Sequence, residues 1–432
     1  MKNKILIITY YWPPSGGAGV QRWLKFAKYL PAHGVTPVVL TVDPRLASYA
    51  QQDETLEQEV PPGVEVFRTR TFEFYNFYKL LTGKKEIPYG GFANEGKVSL
   101  LQRIARVVRG NFFLPDPRRG WNRYAVKKAT ALIRQYGIQT VITTSPPHST
   151  QLIGLTLKKK LGIRWIADLR DPWTDIYYYR ELHLSAWAAE RDRKMERKVL
   201  SQAGHLVTVS ADVARIFARK LPGGAPAISV IPNGYDETDF TSRAVPDDHA
   251  WVVTYTGTIS EAYDLTGFLG ALDRVTRERT GRMPDRELLL RFVGKVPAPV
   301  VARIRQACPA LKLDLVGYVG HQESVGYLLR SSLQLLVIPR VEHNRGIITG
   351  KFFEYLASGR PVLAIGPRDG DLEKLIRETG AGRLFDYDGE EAMEAFLKEV
   401  LAGQVPAPEP GKVQAYSRKA LTAKVVQLLR EN

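Results

Sequence analysis

The 432-residue chain carries a single cysteine, Cys308. One thiol excludes an internal disulfide framework and suits a reducing cytoplasm. No apolar run approaches the ~18 residues needed to span a bilayer, so an integral membrane protein is not expected. The opening MKNKILIITYYW is short for a signal peptide, carries tyrosines and has no small-residue cleavage site before Pro13-Pro14. It reads instead as a first buried strand. No histidine and cysteine cluster has metal-ligand spacing, and no tandem repeat or low-complexity tract is present. Acidic residues are scarce beside basic ones, 45 against 61, for a formal net charge of +16. Such a balance attracts polyanions (nucleic acid, anionic lipid or phosphorylated substrates) without choosing among them.

What is present is ordinary for a globular protein: 44% hydrophobic and 25% charged residues. The length exceeds the roughly 250 to 300 residues at which single cores stop growing, so two domains are expected. The stretch from Asn344 to Pro361, NRGIITGKFFEYLASGRP, organises the second of them. It follows the apolar run Leu333 to Ile338, makes a glycine-bearing turn, gains helical spacing at Phe352, Phe353, Leu356 and Ala357, and stops at Gly359 with Pro361 behind it. A glycine loop feeding a helix start presents unpaired N–H groups and the positive end of a dipole to an anion. Gly346, Gly350 and Lys351 lie where a phosphate would arrive, and Glu354 lies one turn further on. A capped helix packed on a strand is the plain alternative.

The first half opens with a strand at Ile5 to Thr9, the loop Pro13 to Gly19, a helix carrying Val20, Trp23, Leu24, Ala27 and Leu30, and a strand from Pro37 to Val42 ending at Asp43. This β-α-β order predicts a parallel doubly wound sheet. It is also a partial dinucleotide fingerprint, but Gly17-x-Gly19 meets Arg22 where the third glycine belongs. Further strands are expected at Thr140 to Thr144 and Arg164 to Ala167. Each ends in a polar loop, one holding His148, the other Asp168, Arg170 and Asp171, at the strand ends where open α/β sheets place their chemistry. A charged helix through Leu200 and a strand at His205 to Ser210 follow, and Thr241 to His249 is the linker candidate. Between Thr71 and Trp121, nine basic residues face four acidic ones among ten aromatics. Two readings of that segment stay open: an interfacial segment touching anionic lipid, or an insertion packed on the first domain with a solvated basic face. RNA binding is a third and weaker reading, since no nucleic-acid module accompanies the charge. The second half restarts the alternation with strands at Trp251 to Thr256, Glu287 to Val293, Leu313 to Val316, Leu333 to Pro339 and Val362 to Ile365. A last helical segment runs from Tyr416 to Leu429.

Four stretches, ITYYWPPSGGAGVQRW, DLRDPW, VIPNGYD and GKFFEYLASGRPVLA, resemble glycosyltransferase family 4, a group of retaining enzymes with the GT-B fold. The resemblance implies two doubly wound, Rossmann-like parallel-sheet domains facing an interdomain cleft. It divides the chain into an acceptor-binding domain over 1–236 with the insertion 72–121, a nucleotide-sugar-binding domain over 237–415, and a helix over 416–432 returning to the first domain. The implied activity is metal-independent hexosyl transfer from a UDP- or GDP-linked sugar to a glycan or lipid-linked acceptor, in cell-surface polysaccharide or lipopolysaccharide synthesis. No other cofactor and no nucleic acid are expected. The implied location is the cytoplasm or the inner membrane face, with an anionic membrane surface as a candidate partner.

In that family the second glutamate of an E-x7-E motif holds the donor ribose, and the matching residue is Glu354. The first would fall at Gly346, where this chain has no carboxylate, and Glu342 is out of register. The family's basic pair after the first strand of the second domain is replaced here by Glu261 and Asp264, following Gly257. The resemblance therefore passes the diphosphate to Lys351 first, with Lys295 and Arg340 as substitutes. It places Gly317 and Tyr318 beside the base, and N–H groups at Gly16, Gly17 and Gly19 beside the donor. Asp168, Asp171 and His148 join Lys351 as candidates for the catalytic side, although the Asp168-Leu-Arg-Asp171 run also reads as a structural ion pair. The rival functions are a catalytically degenerate nucleotide-binding relative and, on Gly17-x-Gly19 and Asp43, a dinucleotide-dependent oxidoreductase.

Overall fold

The computed structural model describes residues 3–73, 110–241, 249–279 and 286–431. Most of the basic aromatic segment 72–121 and of the linker 241–249 lies outside these residues. The chain divides into two compact units, Met1–Pro232 with Leu421–Asn432, and Asn233–Ala420.

The first unit is a parallel sheet of β1 (Asn3–Ile8), β2 (Val35–Val42), β3 (Glu65–Thr69), β4 (Thr140–Ser145), β5 (Arg164–Leu169), β6 (His205–Thr208) and β7 (Ile228–Val230), in the order β3-β2-β1-β4-β5-β6-β7. Strand β1 shows why the sheet is covered on both faces. Leu6 and Ile8 point into one core and Ile5 and Ile7 into another, since successive side chains alternate across a strand. Helices α1 (Ala18–Tyr29), α2 (Asn122–Tyr136), α3 (Ser149–Leu161), α4 (Ala186–Gln202) and α5 (Ala211–Arg219) supply the covering layers. Val20, Trp23, Leu24 and Ala27 of α1 fill the second core beside Leu421, Val425, Val426, Leu428 and Leu429 from the other end of the chain.

The second unit repeats the plan with β8 (Ala250–Thr256), β9 (Glu287–Val293), β10 (Lys312–Gly317), β11 (Leu333–Val337), β12 (Val362–Ile365) and β13 (Gly382–Phe385), all parallel in the order β10-β9-β8-β11-β12-β13. Its helices are α6 (Thr266–Arg279), α7 (Ala298–Ala307), α8 (His321–Arg330), α9 (Gly350–Ala357), α10 (Asp371–Thr379), α11 (Glu390–Leu401) and α12 (Pro410–Gln414), and α13 (Arg418–Arg430) starts in this unit and belongs to the first from Leu421 on. Leu335 and Val337 face one core, Leu336 and Ile338 the other, where Phe352, Phe353 and Leu356 of α9 pack. The doubly wound architecture expected from the alternation is therefore present twice. Three strands escaped the sequence reading, β3, β7 and β13, and all three are sheet edges. Edge strands are short and half-solvated: Glu65 and Arg68 sit in β3 and Ser229 in β7, so the apolar run that marks a central strand is missing. No described helix is long and apolar enough to cross a membrane.

Candidate functional site

In the second unit the site grows from the carboxyl end of β8. Gly257, at φ 94°, turns the chain away from the sheet, and a side chain there would meet the Lys351 ammonium at 3.1 Å. Gly294, which follows β9 at φ 137°, lies so near that a Cβ would stand 2.3 Å from the Gly257 carbonyl oxygen. Only glycine fits that approach. Lys351, in the first turn of α9, reaches under this pair and donates one hydrogen bond of 2.8 Å to the Tyr255 hydroxyl. Its Nζ is also 4.1 Å from the centre of that ring. Tyr255 in turn donates to the Thr258 carbonyl at 3.1 Å. An ammonium carries three donors, so two remain after Tyr255. Burial pushes Lys351 down to about 7, with Glu354 pulling the other way.

Glu354, one turn along α9, retains only 28% of its side-chain exposure. Among the described residues its carboxylate accepts no hydrogen bond. The nearest basic side chain is the His321 imidazole, whose Nδ1 lies 3.9 Å from Oε1. Burial raises the Glu354 pKa; His321, Lys351 and Arg418 oppose that, and Asp239 adds to it. A half-buried acid and a desolvated lysine, three residues apart on a helix start, form a site with charge to spare.

The other residues expected on this side are spread along the same sheet edge. Lys295, just after Gly294, is exposed, and its ammonium has no partner among the described residues. Gly317 closes β10 at φ 79°, and Tyr318 beyond it is 56% exposed. Gly346 ends a one-turn segment, Asn344–Gly346, and is buried, so no side chain reaches a sugar from there, while Glu342 is exposed. Arg340 is already engaged: its guanidinium donates to Asp388 at 2.9 and 3.2 Å and to Asp264 at 3.3 Å. Asp264 was legible as an acid where the family has a base, but its pairing with a residue 76 positions away was not.

In the first unit, Asp168 is fully buried and saturated. Arg22 donates to both carboxylate oxygens from Nε at 3.2 and 3.1 Å and from Nη2 at 2.9 Å, Trp23 Nε1 donates at 2.8 Å and Thr144 Oγ1 at 2.7 Å. Burial would raise this acid, but the Arg22 charge and hydrogen bonds more than offset it and hold the carboxyl below its usual range. Arg22, which broke the dinucleotide fingerprint, is thus the partner of Asp168 and also donates to the Pro232 carbonyl at 3.0 Å. Arg170, just past β5, ties the end of β4 to the start of α1 by donating to the carbonyls of Ser145 at 2.9 Å and Gly19 at 3.0 Å.

Asp171 differs from Asp168. Burial raises its pKa, Arg170 lowers it, and among the described residues its side chain makes no hydrogen bond. His148 stacks on Trp173 with ring centres 4.8 Å apart, and its buried Nδ1 has no partner among the described residues. Burial, then the charges of Lys220 and Arg170, push this imidazole down to about 3, so it stays neutral. Trp173 is fixed in turn by donating to Asp192 at 3.0 Å. In the glycine loop, Gly17 precedes α1 as its N-cap at φ 84°, but the Gly16 N–H already donates to the Gln51 carbonyl at 3.0 Å. Among the described residues no three His, Cys, Asp or Glu side chains gather as metal ligands.

Two residues beside Glu354 were not anticipated, His321 and Asp239. Neither lies in a run with its own signal, and 82 residues separate them.

Residues 16–234, a little over half of the chain, match the model of the glycosyl transferase 4-like domain. No curated protein matches the chain in sequence. Among solved structures, sucrose-phosphate synthase from Thermosynechococcus elongatus is 15% identical, with 99% of this chain and 98% of that one covered and a TM-score of 0.62. Anabaena HepE in complex with UDP-glucose is 14% identical over 99% and 100% of the two chains, with a TM-score of 0.60. TarM is 10% identical over 100% and 99%, with a TM-score of 0.59. At these identities the likeness establishes the fold, two parallel-sheet α/β domains of GT-B type. The chain belongs to the glycosyl transferase 4-like family and is a GT-B glycosyltransferase.

Proposed function

We propose that the enzyme transfers a hexose, with retention, from a UDP-linked donor bound on the second unit to a glycan or lipid-linked acceptor bound on the first. The observation that carries the donor half is Glu354. A half-buried carboxylate that accepts no hydrogen bond among the described residues, one turn into a glycine-fed helix, is an acceptor awaiting donors, and ribose hydroxyls supply them. The two unused Lys351 donors, the exposed Lys295 ammonium and the first N–H groups of α9 meet the diphosphate. Gly317 and Tyr318 border the base. Arg340 is held by acids of its own, so we assign it a supporting role. The uracil reading draws on HepE, whose solved complex contains UDP-glucose.

In the transfer, the bond between the anomeric carbon and the diphosphate oxygen breaks. The acceptor oxygen bonds to the same face of that carbon, and the acceptor proton passes to the departing diphosphate. The protein's task is to stabilise charge growing on the leaving group, and Lys351 is the preorganised cation for it, without recourse to a metal. Asp171 and the neutral His148, polar groups with capacity left at the first unit's strand ends, contact the acceptor, while Asp168 holds α1 against β5. Synthesis of surface polysaccharide, with the basic chain resting on an anionic membrane face, fits the charge of +16.

Isothermal titration with UDP and GDP tests the donor half. UDP binding that survives unchanged in a folded Glu354→Ala variant overturns the ribose assignment. Failure to sediment with anionic vesicles at low salt removes the membrane surface.

A further inference from the structure

His321 is the first residue of α8, and Asp239 lies in the one-turn segment Glu237–Phe240. The two meet at 3.1 Å between Nε2 and Oδ2, and Gln322 Nε2 donates to the other oxygen of the same carboxylate at 3.4 Å. Asp239 is 7% exposed at its side chain and His321 17%. An ionised carboxylate can only accept, so the hydrogen in the short contact belongs to Nε2. With that edge of the ring anchored, Nδ1 is turned on Glu354 Oε1 at 3.9 Å. One imidazole thus stands between a buried acid that fixes it and a second acid with no hydrogen bond of its own among the described residues.

We propose that His321, anchored by Asp239, is a positioning residue that aims the Glu354 carboxylate at the ribose hydroxyls of the bound nucleotide. The inference rests on the ribose role proposed for Glu354 and adds a residue that none of the motifs carried. Glutamate has three side-chain torsions, and a carboxylate without protein donors spends its freedom on binding. A ring on a short stem, locked at its far edge, limits that freedom without occupying the oxygens the ribose needs. The other charges facing Glu354 are Lys351 on its own helix, Arg418 at the start of α13 and Asp239 itself. Among the two groups that favour its ionised form and lie off its helix, His321 ranks ahead of Arg418. The arrangement has the logic of an oriented second partner behind a ligand-binding group.

The test compares UDP with 2′,3′-dideoxy-UDP by isothermal titration on the full chain. His321→Ala should weaken UDP by about fivefold to tenfold, the scale of one side chain left to be immobilised by the ligand. It should leave the dideoxy ligand, which has no hydroxyls for Glu354 to hold, at its wild-type affinity. His321→Asn, whose amide nitrogen takes the place of Nδ1, should recover part of the loss and covers the case in which the alanine variant folds poorly. Equal losses for both ligands overturn the proposal, because general damage to the unit does not distinguish them. Unchanged UDP affinity in both folded variants, with Glu354→Ala still impaired, overturns it too. If Glu354→Ala itself binds UDP normally, the ribose assignment falls first, and the role of His321 falls with it.

Discussion

Asp168 and Glu354 are acids at the carboxyl edges of two sheets built on one plan, and the protein treats them in opposite ways. Asp168 collects donors from Arg22, Trp23 and Thr144 and is shut off from solvent. Glu354 collects none among the described residues, and His321 approaches it no nearer than 3.9 Å. A buried charge whose hydrogen-bonding capacity is filled belongs to the architecture, and one whose capacity is open is available to a ligand. The same division separates Arg340, chelated by Asp264 and Asp388, from Lys351, which spends one donor on Tyr255. Residue type and motif position alone place all four in one class.

The contrast can be broken most forcefully at Asp168. Replacement by alanine strands Arg22 in the core and should cost about 3 to 5 kcal/mol of stability, seen in denaturant unfolding of the first unit. A stable Asp168→Ala variant that loses only activity would place Asp168 with the ligand-binding groups. Glu354→Ala should do the reverse: about 1.5 to 3 kcal/mol lost in UDP binding, measured calorimetrically, with little change in unfolding. Lys351 sharpens the comparison through pH. A bound diphosphate favours the ammonium and raises its pKa from about 7, so UDP binding above neutrality should take up a proton. Affinity should then fall by up to about tenfold per pH unit above 7, and Lys351→Met should flatten that slope. Without ligand the sign reverses. The unfolded lysine keeps its proton to about 10.4 and the folded one does not, so this group adds stability as pH rises from about 7 to that value. Arg340→Ala should matter least, below about 1 kcal/mol in either assay, as expected of an exposed ion pair.

Much of this was legible in the chain, for physical reasons that also mark where legibility ended. Central strands such as β1 and β11 announce themselves because both faces are buried and the run is continuously apolar. The loop feeding α9 announces itself because glycine, lysine and glutamate stand at helical spacing after such a strand. What could not be read is pairing over distance. Arg22 looks like a flaw in a glycine motif until Asp168, 146 residues later, is beside it. Arg340 reads as a free base until Asp388 is found across 48 residues. His321 has no signal at all, because its meaning lies in Asp239 and Glu354 on two other segments.

The first unit's second core is closed by Leu421, Val425, Val426, Leu428 and Leu429, and Arg164 of β5 donates to the carbonyls of Leu428 and Leu429 at 2.8 and 2.9 Å. A chain made from its amino end synthesises the whole second unit before these leucines and valines emerge. The earlier-born half must therefore wait with one face of its sheet only partly covered, by α1, and it is the half with more to gain from a chaperone. Removing residues 421–431 should accordingly unfold the amino-terminal unit rather than the unit they follow in sequence.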